Sequence, residues 1–60
     1  MNTQPHITDV DGFYEHLLDA HVGLSREASE ALNARLILLL ANQIGDTALL
    51  KHCITEAQAA

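Results

Sequence analysis

Leu36-Ile37-Leu38-Leu39-Leu40-Ala41 is an unbroken apolar run set between Arg35 and Asn42, and its reading decides the fold. Working outward, neither Pro nor Gly interrupts the chain from Ser25 to Ile44, and Gly45 follows directly. Ser is a strong N-cap residue and Gly a strong helix stop, so the run is the middle of a helix over about 26–44. At ~1.5 Å per residue this helix approaches 30 Å, the width of a small domain. Consecutive side chains point about 100° apart, so six apolar neighbours wrap every side of it. A strand reading fails because β-branched and aromatic residues are few and never alternate with polar ones. The expectation is a long apolar central helix.

The flanking segments carry helical signals of their own. Thr8 or Asp9 can cap a first helix, with Asp11 placed to favour the positive end of its dipole and Gly12 weakening the same turn. Val10, Phe13, Tyr14, Leu17 and Leu18 recur at i, i+3, i+4, i+7 and i+8, an amphipathic stripe. Phe13 and Tyr14 read as core anchors, and Gly23 as a left-handed stop with Leu24 making an apolar contact behind it. Asp46 can cap a third helix whose stripe holds Ala48, Leu49, Leu50, Cys53, Ile54 and Ala57. The expected architecture is all-α, three helices over about 9–22, 26–44 and 47–57. Residues 1–8, with Pro5 and no periodicity, read as a flexible N-terminal arm before a single helical domain, 9–60.

Sixty residues support one domain, and a domain of this size buries only about 60% of its unfolded surface. Small chains compensate with disulfides, metals or partners. The single cysteine, Cys53, excludes an internal disulfide, and no Cys/His spacing matches a structural zinc module. A formal net charge of −5 opposes nucleic acid and anionic lipid. Met1 to His6 have neither the cationic start nor the apolar core of a signal peptide, and six apolar residues are far short of a membrane span. These readings, with one thiol that suits a reducing compartment, lead to an expectation of a cytoplasmic protein without nucleic-acid or membrane partners.

Projected at 100° per residue, the central helix shows three apolar directions: Leu32, Leu36 and Leu39; Ile37, Leu40 and Ile44; Ala34, Leu38 and Ala41. The first and third helices can cover two of them, which leaves one for a partner. A fully exposed Leu or Ile forgoes roughly 1.5–3 kcal/mol of burial, a large amount against a stability of ~5 kcal/mol. Leu36, Ile37, Leu40 and Ile44 are therefore the candidate interface. Arg35, Asn42 and Asp46 align on the remaining side, and Arg35 and Asn42 would supply specificity by bidentate or amide hydrogen bonding. Asn33 could set register between paired helices.

Catalytic signals are weak. His16 and His21 are five apart, about 140° around a helix, and cannot share an ion. His16 with Asp19, or Glu15 with Asp19, has better spacing, and His16 and Asp19, with or without His52 across a dimer interface, give the alternative reading of a metal- or ligand-responsive helical dimer. His52 beside Cys53 could activate a thiolate, yet Cys53 lies on the apolar stripe and reads as core. No phosphate loop, basic patch or Ser/His/Asp order is present, so neither a catalytic residue, a metal ligand nor a cofactor is assigned, and no enzyme is expected.

Leu32-Asn33-Ala34-Arg35 leading into the apolar run, the exit Asn42-Gln43-Ile44-Gly45-Asp46, and the earlier Phe13-Tyr14 and Gly23-Leu24-Ser25 resemble a family of small bacterial proteins classed as a domain of unknown function. The resemblance covers nearly the whole chain and transfers no catalytic residue. It implies at most an accessory subunit beside a flavin-dependent oxidoreductase of aromatic breakdown. Residues and resemblance together lead to a helical protein–protein interaction module, either a homo-oligomer or a small subunit on a larger enzyme.

Overall fold

The computed structural model describes residues 8–59, which form α1 (Val10–Ala20), α2 (Arg26–Ile44) and α3 (Thr47–Gln58). No strand occurs among the described residues, so the chain is all-α with three helices. The proposed arm, apart from Thr8, lies outside the described residues.

Each helix starts on a side-chain cap that satisfies a backbone N–H left without an intrahelical partner. Asp9 accepts from the Gly12 N–H at 2.9 Å, Ser25 from the Ala28 N–H at 3.1 Å, and Asp46 from the Leu49 N–H at 3.1 Å. The stops differ. Gly45 takes φ +67°, and its N–H donates to the Ala41 carbonyl at 2.8 Å, a left-handed cap that a residue with a Cβ adopts only under strain. α1 ends two residues before the expected limit because its last turn tightens: the N–H groups of His21 and Val22 donate three residues back, to Leu18 and Asp19. Gly23, at φ +78°, then turns the chain towards Ser25.

α2 is long, as expected, but it is not the apolar helix expected. Arg26, Glu27, Glu30, Asn33 and Arg35 occupy its first half, and no helix among the described residues is long and apolar enough to cross a membrane. Apolar character is concentrated in Leu36–Ala41, and it points in all directions rather than along one stripe. Asp46 also leaves the polar side proposed for it, because the left-handed turn at Gly45 takes the backbone out of helical register and makes Asp46 the cap of α3.

The helices lean on one another only in part, and no pair packs along its length among the described residues. Half-buried positions on α2 fall in two sets. Ala28, Ser29, Leu32 and Leu36 share one face of its N-terminal portion, and Ala41 marks another face further on. Near the end of α1, Leu17 and His21 are half-buried as well. There His21 forms the joint: Nδ1 donates to the Leu17 carbonyl at 2.8 Å, and Nε2 meets the Asn33 side-chain amide at 2.9 Å. The expectation that α1 and α3 cover two directions of α2 is thereby corrected, since no pair of helices packs along its length and no described residue is buried. The radius of gyration, 13.1 Å, belongs to a compact domain of roughly 100 residues rather than to one of this length, for which about 10 Å is usual.

Candidate protein-interaction surface

The left-handed turn at Gly45 folds α3 back beside the C-terminal half of α2, but the two diverge enough to leave an open groove of about 440 Å³. Ile37, Leu40, Ala41 and Ile44 form the α2 wall. Leu50, Cys53 and Ile54 form the wall from α3, with Ala57 at its end. The stripe of α3 therefore faces the apolar block of α2, as its i, i+3, i+4 spacing requires. Every residue lining the groove is apolar or a cysteine.

Such a groove has the size of a small-molecule pocket but not its character. Ligand sites place a few polar groups to fix orientation within largely enclosed walls. This one is open along its length and offers no convergent donors or acceptors, so its chemistry suits an apolar ridge of side chains. Of the candidate interface residues, Ile37, Leu40 and Ile44 stand together here, with Ile37 still 65% exposed. Leu36 does not join them. It is half-buried outside the groove lining, in register with Ala28, Ser29 and Leu32. Arg35 and Asn42 are exposed on other sides of α2.

Apolar exposure continues beyond the groove. Leu38 and Leu39 protrude from the far sides of α2, at 71% and 65% exposure. On α1, Phe13 and Tyr14 are 44% and 58% exposed, together with Val10 and Leu18. The reading of Phe13 and Tyr14 as core anchors is therefore corrected: their stripe is formed, but none of it is buried among the described residues.

Charged groups add little cohesion. The ion pairs among the described residues are Arg26 with Glu30 at 3.2 Å and, when the imidazole is protonated, His52 with Glu56 at 3.6 Å. Both are solvent-exposed (i, i+4) pairs of small energetic value. No group of three His, Cys, Asp or Glu side chains among the described residues could hold a metal ion. The structure also gives two polar residues roles that sequence reasoning missed. His21 reads as an ordinary surface histidine in a linear sequence, and Asn33 as an inter-chain register residue, yet they bond to each other across twelve positions. Only the fold places them side by side.

No curated protein and no solved structure matches the chain. The family model described as Protein of unknown function (DUF2783) matches residues 1–59, and the chain belongs to that family.

Proposed function

We propose that this chain is a small helical protein–protein interaction module that completes its hydrophobic core against another polypeptide and performs no catalysis of its own. One observation carries the reading: no described residue is buried, while large hydrophobic side chains on all three helices stand open to water. Capping, propensity and short-range packing make each helix locally well formed. They leave the burial that normally supplies most folding free energy undone. Exposed apolar surface of this extent on a monomer marks an association site. The partner is a second copy or a larger protein; the resemblance to a family of small proteins of unknown function implies at most an accessory subunit beside a flavin-dependent oxidoreductase in the latter form. The cytoplasm, where a lone cysteine stays reduced, is the compartment we assign.

The test is the concentration dependence of folding. Purified chain followed by far-ultraviolet circular dichroism should show a melting temperature that rises with protein concentration, or little cooperative structure until a partner is added. A cooperative, concentration-independent transition from a species of monomer mass would refute the module.

A further inference from the structure

We propose that the groove between α2 and α3 is filled by α1 of a second copy of this chain, whose own groove receives α1 in return. This two-fold dimer rests on the interaction-module reading above. Surface area supports a partner of this size. The accessible surface is 5327 Å², whereas a compact monomer of 6.5 kDa exposes about 3,800 Å². The excess of about 1,500 Å² per chain, or ~3,000 Å² for a pair, falls within the range of obligate homodimers, about 2,000–5,000 Å². The radius of gyration, that of a compact domain of roughly 100 residues, likewise shows that the chain is not packed on itself.

Symmetry and shape then select the filling element. In a two-fold interface the same patch occurs on both sides, so a concave surface must be matched by a convex one on the same chain. α1 provides it: Val10, Phe13, Tyr14 and Leu18 project as an exposed amphipathic ridge. Its 11 residues span about 16 Å, close to the ~18 Å of the 12-residue α3 that walls the groove. The end of the chain's own α1 is tied elsewhere, by the hydrogen bond from its C-cap residue His21 to Asn33 in the first half of α2.

Charge does not oppose this filling, because the groove itself carries none. The carboxylates of α1 are Asp11, Glu15 and Asp19, and the helix carries neither Lys nor Arg. Arg26 is engaged with Glu30, which leaves Arg35 and Lys51 as the remaining Lys and Arg residues. Arg35 stands about 200° around α2 from Ile37 and Lys51 about 100° around α3 from Leu50, so neither lines the groove. A helix bound there meets an apolar, uncharged surface, so contact is made by the ridge of Val10, Phe13, Tyr14 and Leu18 and not by its carboxylates.

The experiment is complementation between two variants of the full chain, read by sedimentation velocity and circular dichroism. One carries Phe13→Glu and Tyr14→Glu, the other Leu40→Glu and Ile44→Glu. Wild type should be a dimer, and each variant alone should dissociate with a Kd raised more than about 30-fold, the weakening expected from losing a hot spot. Mixed in equal amounts, the two should form a heterodimer with one intact helix-in-groove contact, and should regain helicity if either had unfolded alone. A wild-type dimer without complementation would overturn the α1-in-groove arrangement and leave the module standing. A wild-type monomer that lacks a cooperative transition would overturn the second copy as partner while leaving the module. A monomer with a sharp transition would overturn both.

Discussion

At the residue scale, two glycines make opposite predictions. Gly45 occupies the left-handed region, where a Cβ costs roughly 1–2 kcal/mol, and it supplies the N–H that closes α2. Gly45→Ala should destabilise the assembled protein by about 1 kcal/mol in chemical denaturation, with unchanged midpoint as the contrary result. Gly12 has an ordinary helical conformation, so alanine would improve propensity by up to ~1 kcal/mol. A Cβ at Gly12 would run into the Asp9 carboxylate, the cap of α1. Losing that cap costs about as much, ~1 kcal/mol. The two effects oppose, so Gly12→Ala should change stability by less than about 0.5 kcal/mol. A gain near the full propensity value would show that Asp9 caps equally well from another rotamer.

At the element scale, the joint between α1 and α2 depends on His21 and Asn33. Because Leu17 offers only a carbonyl oxygen, Nδ1 must carry the proton that bonds to it, and Nε2 is left facing the Asn33 amide. His21→Ala and Asn33→Ala should each destabilise by about 1 kcal/mol, and the double variant by less than their sum, because both break one bond. A double-mutant cycle measures that coupling, and additive losses would mean the two side chains act separately. On the opposite wall of the molecule, Leu40→Glu should abolish association while leaving helix propensity nearly unchanged. Sedimentation of that variant at the wild-type mass of the assembly would remove the groove from the interface.

At the scale of the whole molecule, hydrophobic burial and net charge pull in different directions. Each chain carries −5, so two copies repel beyond the groove even though the groove itself is uncharged. Salt shortens the Debye length from about 10 Å at 0.1 M to ~3 Å at 1 M. Dimerisation should therefore tighten as salt is raised, in sedimentation equilibrium at increasing sodium chloride. Weakening with salt would mean that ion pairs such as those available to Arg35 and Lys51 outweigh the overall repulsion.

The sequence by itself determined the three helices and most of their limits, because caps, glycine stops and a 3.6-residue apolar period act within a few neighbours. Ser25, Asp46 and Gly45 are legible for that reason, and so are the apolar run and its need for cover. Ile37, Leu40 and Ile44 could be grouped by helical register alone. What register could not decide is how far each helix covers another, since that depends on the angles set at the two turns. Only the tertiary structure separated Leu36 from its neighbours, moved Asp46 off α2, joined His21 to Asn33, and left both the α1 stripe and the α2–α3 groove exposed. The physical reason is range: local backbone chemistry specifies an element, whereas burial is a property of surfaces brought together from distant parts of the chain, or from another chain.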